Sequence, residues 1–432
     1  MADYHEIAQG GNFVCKGREK CAEIDFFGAV WYNKGKQESN TALSAKSEFA
    51  GEKYDELKEI LTIVFRINME DKAMKSEKSK RVKKVFLIIA CIFIIFLAVT
   101  FLINKLLLSK EKQMLTEAGY YNPVSVGDYS LNVYDFGNKE GTHTFVGISG
   151  RGVFDYSVRM DRLMGGFADD NRIVVVDRPG YGLSDDTKEL LTVESIVDDY
   201  RTALINAGIE APYILLPHSI GSAYATYWVS KYPEEIEGVV FLDGTPLNGK
   251  SDLSEGNVIE NRAAIAATQM GLIRLAKSLL LKIEIPGMNY TDEQRKYSEA
   301  LNLHNRFNHA SSYEEEHSNE FCDTAYNEMK QNDVPKVYIS SKFAFRTKEE
   351  IDEMLEWDKR ECEFKGMNQP RFVADVDYIK NYFDTEFQPY IDKLGNCELV
   401  LLPGIHCIYD QRPDDVAEII SDFLDRIEEQ TE

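Results

Sequence analysis

The amino-acid sequence predicts an α/β fold with a mostly parallel sheet covered by helices on both faces, preceded by a single transmembrane helix. One observation behind this prediction is a charge-free apolar run over residues 85–103, in an otherwise polar N-terminal region. The other is a change at about residue 122, after which short strands that are apolar on both faces alternate with helical segments. Such strands are typical of parallel sheets, because crossover helices cover both faces.

Composition limits the functions that the chain can have. Its 432 residues are 44% apolar and 28% charged, which allows a large core and excludes global disorder. The net charge of −23 argues against nucleic acid as a partner, because phosphate binding needs clustered Lys and Arg. His5, Cys15 and Cys21 fit no zinc spacing, so the sequence predicts neither a metal nor a cofactor.

The apolar run reads VFLIIACIFIIFLAVTFLI and contains no charged residue, Gly or Pro. As a helix it is roughly 28 Å long, enough to cross the hydrocarbon core of a bilayer. A buried core helix is the alternative, but core helices are usually shorter and carry a polar stripe. A cleaved signal peptide would begin nearer Met1. We therefore predict a transmembrane helix over residues 85–103.

Basic residues are concentrated on one side of this run, which predicts its orientation. Positions 72–84 contain seven Lys and Arg side chains, whereas a comparable stretch after the run contains Lys105, Lys110 and Lys112. Cationic flanks stay cytoplasmic, so the N-terminus is predicted inside, with the inverted topology as the alternative. The predicted organisation is a cytosolic segment (1–84), the membrane helix (85–103), a stalk (104–119) and an outer domain (120–432).

The outer part has a regular order of strands and helices. Residues 124–138 contain a Gly-Asp turn and predict a β-hairpin. Apolar strands are predicted within 143–150, 172–176, 213–216, 238–242, 337–340 and 398–402, and helices at 192–207, 223–232 and 414–428. Ligands of such sheets bind beyond the carboxyl ends of the strands, so functional residues are expected there.

A serine and a histidine follow two of these strands. Ser219 lies in P-H-S-I-G, between an apolar strand and a helix that begins near Gly221. A sharp strand-to-helix turn strains its central residue, lifts the hydroxyl out of the backbone and points amide groups at developing negative charge. His406 follows the last strand, and imidazole is a suitable base for a hydroxyl nucleophile at neutral pH.

Two glycine-rich segments also follow strands. Ser149-Gly150-Arg151-Gly152 comes after the first parallel strand, and residues 177–184 read DRPGYGLS after the next one. Together with the Ser219 turn, they resemble the α/β-hydrolase fold family, and the resemblance covers about residues 120–430. Pro217 stands where the family usually has the first Gly of the nucleophile turn, and Ser149 where its loop usually has His. We interpret the DRPGYGLS turn as scaffold rather than catalyst.

The resemblance implies a catalytic triad in the chain order Ser, Asp, His. Ser219 would be the nucleophile and His406 the base. Asp243, in F-L-D-G-T-P after the strand 238–242, would be the acid, as in one lipase branch of the family. Many members place the acid after the next strand, where no carboxylate occurs until Glu349; Glu349 and Asp352 remain alternatives.

The resemblance also implies two structures around this triad. The backbone amides of Arg151 and Ile220 would form the oxyanion hole. Residues 246–333, between the sixth and seventh strands, would form a helical cap that excludes water and shapes the acyl pocket.

The sequence thus predicts a membrane-anchored serine hydrolase that cleaves a small-molecule or lipidic acyl ester through an acyl-enzyme. Its hydrolase domain (120–432) is predicted to be extracytoplasmic, on a single-pass anchor whose N-terminus is cytoplasmic. One alternative is an amidase or peptidase that uses the same triad. The other is a non-catalytic ligand-binding or signalling module on a hydrolase scaffold.

Overall fold

The computed structural model describes residues 42–280, 290–341 and 381–431. The predicted hairpin is formed by β1 (Pro123–Ser125) and β2 (Ser130–Gly137). The parallel strands are β3 (Thr144–Ile148), β4 (Arg172–Asp177), β5 (Tyr213–Pro217), β6 (Ile236–Leu242), β7 (Lys336–Ser340) and β8 (Cys397–Leu401). All eight pair in one mixed sheet in the order β1-β2-β4-β3-β5-β6-β7-β8. The predicted strands are confirmed, and the sheet is mixed because β2 pairs antiparallel with both β1 and β4.

Both faces of the sheet are covered, as the apolar strands predicted. In β4, Val174 and Val176 pack into one hydrophobic core, whereas Ile173 and Val175 pack into a second core on the other face. This alternation follows from the period of two along a strand. A polar residue at any of these positions of β4 would therefore be buried on one face of the sheet or the other.

Helices in the described ranges surround this sheet. They are α1 (Ala42–Glu117), α2 (Tyr156–Met164), α3 (Val193–Asn206), α4 (Gly221–Lys231), α5 (Val258–Gln269), α6 (Leu272–Leu280), α7 (Asp292–His304), α8 (His309–Glu316), α9 (Ser318–Asn327), α10 (Gln388–Leu394), α11 (Ile408–Gln411) and α12 (Pro413–Thr431). Residues of α3 and α4 belong to the first core, and residues of α2 and α12 to the second. The fold is therefore a mixed sheet flanked by helices.

The predicted cap consists of α5 to α9, which lie between β6 and β7. It is joined to the DRPGYGLS turn by side-chain amides. Asn308 Nδ2 donates to the carbonyl of Gly180 over 2.7 Å, and Asn305 Nδ2 donates to that of Ser184 over 2.8 Å. The cap is thereby fixed above the carboxyl end of β4.

The predicted membrane segment lies within α1. Contact analysis divides the chain into two units, Met1–Ala90 and Cys91–Glu432. Within the described residues, Ser79–Glu117 is the helical stretch long and apolar enough to cross a membrane. In the second unit, Asn104 Nδ2 donates to the carbonyl of Thr268 over 3.1 Å, and Leu115 is completely buried. The residues predicted as a stalk therefore continue α1 and pack against other residues of the second unit.

Candidate active site

Ser219 lies on a tight turn between β5 and α4. Its φ of 53° is in the left-handed region, which a non-glycine residue adopts only under constraint. Its carbonyl accepts hydrogen bonds from Ser222 Oγ at 2.6 Å and from the Thr245 amide at 2.9 Å. A Cβ at Gly221 would lie 2.6 Å from the carbonyl oxygen of Ile148, so this position requires glycine. The turn thus has the strand–turn–helix form that the sequence predicted.

His406 reaches Ser219 from the loop between β8 and α11. The imidazole Nε2 is 2.9 Å from Ser219 Oγ, and Nδ1 is 2.7 Å from Asp243 Oδ2. An ionised carboxylate can only accept, so Nδ1 carries the proton and Nε2 is left to accept the Ser219 hydroxyl. The His406 side chain is 45% exposed, which leaves the reacting face of the imidazole open.

Asp243 immediately follows β6 and is itself in left-handed backbone, with a φ of 48°. Its side chain is only 7% exposed. Oδ1 accepts a hydrogen bond of 2.7 Å from the backbone amide of Ser341, the residue that follows the neighbouring strand β7. The β7 end therefore supplies an amide that orients the carboxylate. The alternative acids Glu349 and Asp352 lie outside the described residues.

His218 supports this arrangement, although the sequence analysis did not single it out. It is buried and precedes Ser219. Its Nε2 lies 3.2 Å from the His406 carbonyl oxygen, and its Nδ1 lies 3.2 Å from the Tyr409 hydroxyl. Since a carbonyl only accepts, Nε2 donates to His406 and Nδ1 accepts from Tyr409. His218 thus ties the backbone of the histidine loop to the serine turn.

The predicted oxyanion donors lie on the two loops beside Ser219. Gly150, which precedes Arg151, packs so closely that an added Cβ would lie 2.9 Å from Ser219 Cβ. Within the described ranges the backbone amides of Arg151 and Ile220 donate no hydrogen bond. Two unpaired amides beside a serine hydroxyl could donate to a carbonyl oxygen that becomes negatively charged. Their role as an oxyanion hole remains a prediction.

Comparison with known proteins assigns the fold. Residues 147–328 match the family model of the alpha/beta hydrolase fold. The matched part of the chain is similar to the α/β-hydrolase fold family, in agreement with the predicted resemblance. The chain is 25% identical over 351 residues to the uncharacterized protein YbdG of Bacillus subtilis, covering 81% of this chain and 98% of that protein.

Other similarities are shorter or structural. A 2-(acetamidomethylene)succinate hydrolase of Mesorhizobium japonicum is 30% identical over 123 residues, which cover 28% of this chain and 42% of that enzyme. The enol-lactonase of Burkholderia xenovorans superposes with a TM-score of 0.45 at 15% identity, covering 70% of this chain and 99% of that one. The haloalkane dehalogenase DatA of Agrobacterium tumefaciens gives 0.45 at 16%, covering 71% and 96%. The family-model match thus supports an α/β-hydrolase fold for this chain.

Three loops of this chain bring together the residues predicted for the triad. Among the described residues, no group of three His, Cys, Asp or Glu side chains could hold a metal ion. The arrangement offers instead a hydroxyl, an imidazole that can take its proton, and a carboxylate that orients the imidazole. This constellation is suited to acyl transfer.

Proposed function

We propose that this chain is a membrane-anchored serine hydrolase that cleaves acyl esters through Ser219, His406 and Asp243. The observation that carries the proposal is the unbroken hydrogen-bond sequence from Ser219 Oγ to His406, 2.9 Å, and from His406 to Asp243, 2.7 Å. A nucleophile, a base within hydrogen-bond reach and a group that orients the base are the parts that covalent acyl transfer requires.

The first half of the reaction forms an acyl-enzyme. Ser219 Oγ bonds to the ester carbonyl carbon while its proton passes to His406 Nε2. The carbonyl oxygen becomes an oxyanion that accepts from the amides of Arg151 and Ile220. The tetrahedral intermediate then collapses: the bond to the alkoxide breaks, and His406 gives that oxygen the proton. Asp243 stabilises the imidazolium in between and keeps the proton on Nδ1.

The second half releases the acid by the same steps. A water molecule gives a proton to His406 Nε2 and bonds to the acyl carbon, and a second oxyanion forms at the same amides. Collapse breaks the bond to Ser219 Oγ, which recovers the proton from His406. The cap restricts the access of bulk water, and it would shape the pocket for the acyl or alcohol group.

The apolar part of α1 supports a place for this chemistry at a membrane. Large apolar side chains of this segment, such as Phe93, Ile94 and Ile95, are 57–64% exposed. An exposed apolar surface of this size is typical of lipid contact. We infer that the substrate is an acyl ester, small or lipidic, and that the hydrolase unit lies outside the cytoplasm. Protease added to intact cells should then digest the part after Ile103, whereas its protection would reverse the topology.

A fluorophosphonate probe tests the enzyme directly. It should label the full chain rapidly in detergent, and Ser219→Ala should abolish the labelling while the thermal midpoint of unfolding stays close to that of the wild type. Ser230→Ala is the matched control, because Ser230 lies on α4, the helix that follows Ser219, and its buried hydroxyl has no hydrogen-bond partner in the described part of the chain. The control should label normally.

Absence of labelling in a folded wild-type chain would contradict the enzyme and favour a ligand-binding module. Labelling that survives Ser219→Ala would place the nucleophile elsewhere. The alternative of an amidase has one observation in its support, the similarity to a hydrolase whose name contains an acetamido group. A matched ester and anilide of the same acyl acid separate the two, because the proposal expects the ester to be the better substrate by kcat/KM.

A further inference from the structure

The arginine of the DRPGYGLS turn forms a buried ion pair with the cap. Arg178 and Glu314, which lies on α8, have side chains that are 1% and 2% exposed. Arg178 Nε donates to Glu314 Oε1 over 2.7 Å, and Nη2 donates to Oε2 over 3.1 Å. This two-pronged geometry fixes the plane of the guanidinium as well as its position. Local sequence pattern gave no sign of this pair, because the two residues are 136 positions apart.

The same guanidinium also holds the loop that carries one predicted oxyanion donor. Arg178 Nη1 donates to both the carbonyl oxygen and Oγ of Ser149, each over 2.7 Å. Nη2 donates to the carbonyl oxygen of Gly150 over 3.2 Å. The Gly150 carbonyl belongs to the same planar peptide group as the Arg151 amide, and the Ser149 carbonyl belongs to the peptide group before it. Movement of Arg178 would therefore change the direction in which that amide points.

Tyrosines reinforce the link between cap and loop. Tyr181 and Tyr224 both donate their hydroxyls to Glu314, and the Tyr181 hydroxyl also accepts from the Gly152 amide over 3.2 Å. Burial, together with the nearby Glu314 carboxylate, raises the pKa of both tyrosines well above the usual range. Both therefore stay protonated and keep donating. Glu314 is thus held by Arg178 and two hydroxyls.

A second contact joins the loop to the cap on its other side. Arg151 Nη1 donates to the Ser254 carbonyl over 2.7 Å and to Ser318 Oγ over 3.1 Å. Ser318 Oγ in turn donates to the backbone carbonyl of Glu314 over 2.8 Å. The loop of residues 149–152 is therefore linked to residues 246–333 directly through Arg151 and indirectly through Arg178 and Tyr181.

A buried ion pair such as Arg178–Glu314 is not an effective way to stabilise a fold. Removing two charges from water carries a large desolvation cost, so a buried pair often adds little net stability. Its geometry is nevertheless specific, because breaking either half leaves a buried charge uncompensated. Such a pair is better suited to fixing a conformation than to raising stability.

We propose that Arg178 and Glu314 are positioning residues that make one half of the oxyanion hole depend on the cap. Glu314 fixes Arg178, Arg178 fixes the carbonyls of Ser149 and Gly150, and the Arg151 amide is thereby aimed at the oxyanion. This inference rests on the proposed acyl transfer. It assigns the DRPGYGLS turn a part in transition-state stabilisation rather than in chain reversal alone.

The test measures the full chain in detergent with a soluble ester. Glu314→Gln and Arg178→Lys should each lower kcat by about 10²-fold, comparable with loss of one oxyanion donor, while KM changes less than about threefold. Affinity for a boronic acid, which mimics the tetrahedral intermediate, should fall with kcat, whereas affinity for a product carboxylate should not. The double variant should lose no more than the worse single variant, because both act through one guanidinium.

Arg172→Lys is the matched control. Arg172 forms a similar two-pronged pair with Asp135, at 3.0 and 2.8 Å, but at the opposite end of β4. Its kcat and boronate affinity should stay at the wild-type values. Tyr181→Phe is a milder variant in case the charge changes prevent folding, and it should lower kcat severalfold without changing KM.

The outcomes separate two failures. Folded Glu314 and Tyr181 variants with wild-type kcat and boronate affinity would overturn the positioning role, even if their thermal midpoints fell. A rise in KM with unchanged kcat would overturn it as well, because that result indicates that these residues contact the substrate. A wild-type chain that neither hydrolyses esters nor takes up fluorophosphonate would instead overturn the proposed function, and the inference with it.

Discussion

The two ends of the parallel strands are built differently. At the carboxyl ends, Ser219 and Asp243 occupy left-handed backbone, and the Arg178–Glu314 pair is fully buried. At the amino ends, the Arg172–Asp135 pair has side chains that are 13% and 12% exposed, and Glu428, which contacts His143, is 57% exposed. Two of the three described non-glycine residues with positive φ and the fully buried ion pair thus lie at the carboxyl ends, whereas the amino ends have one such residue, Asn396, and the buried Lys336. The difference indicates that the carboxyl end is built for geometry and the amino end for ordinary stability.

The largest expected difference between the two ends concerns the carboxylates. Asp243→Asn should lower kcat on the order of 10⁴-fold with little change in the thermal midpoint, because an amide favours the wrong tautomer of His406. Asp135→Asn, at the amino end, should leave kcat within about twofold and act only on stability. Ester turnover and thermal unfolding of both variants provide the check. Near-normal turnover of Asp243→Asn would remove this residue from the site.

Glycines provide a second comparison. A Cβ at Gly150 would lie 2.5 Å from His218 Nδ1, so Gly150→Ala must shift the loop and should lower kcat by about 10²-fold. Gly165, at the end of α2, has helical backbone and nothing within 4 Å of an added Cβ. Gly165→Ala should keep full activity and raise the free energy of unfolding by about 0.5 kcal/mol. Equal activities of the two variants would show that the loop tolerates displacement.

A smaller effect is expected from Asp177, the last residue of β4. Burial raises the pKa of its carboxyl group to about 6, although the Leu183 amide and Asn132 donate to it. The folded state therefore holds more protons than the unfolded chain, whose Asp has a pKa of about 3.9. The free energy of unfolding should fall as pH rises from about 4 to 6. Urea denaturation of the wild type against Asp177→Asn isolates this slope, and parallel pH profiles would refute it.

The smallest effect is expected from His143, just before β3. Its Nδ1 lies 2.9 Å from Glu237 Oε1 and its Nε2 lies 3.2 Å from Glu428 Oε1; the bond to Glu237 is the main cause of a raised pKa, against burial. The stabilisation is complete below the unfolded pKa of about 6.5 and is lost as pH rises through the folded value. His143→Gln should lack this dependence, and salt should weaken it in the wild type. A salt-independent profile identical in both proteins would argue against the charged pair.

The sequence pattern predicted those parts of the site that residues close in sequence determine. Ser219 and His406 could be proposed because each lies in the short loop after an apolar strand, where no other residue competes for its role. Asp243 needed more, since its support comes from Ser341 at the end of the adjacent strand β7, and strand order is a property of the sheet. The structure brings these three side chains together, while their catalytic roles remain predictions.

The cap contacts could not be predicted from the sequence. Glu314 lies in a polar helix whose pattern gives no sign that one carboxylate is almost completely buried. The resemblance placed a cap over residues 246–333, but only its packing shows that α8 reaches the DRPGYGLS turn. The sequence likewise predicts a stalk that includes Asn104 and Leu115. Burial against a segment that is distant in sequence leaves no periodic apolar pattern from which it could be predicted.

The part of α1 that belongs to the second unit makes contacts that constrain the length of the helix. Asn104 donates to the Thr268 carbonyl, and Arg274 donates two hydrogen bonds of 2.6 and 2.7 Å to the Glu111 carboxylate. Leu115, eleven positions after Asn104, is completely buried. One inserted residue would rotate everything beyond it by about 100° and shift it by about 1.5 Å. These contacts could not then all persist. The spacing of Asn104, Glu111 and Leu115 along α1 is thus fixed by helical phase, and it tolerates no gradual adjustment.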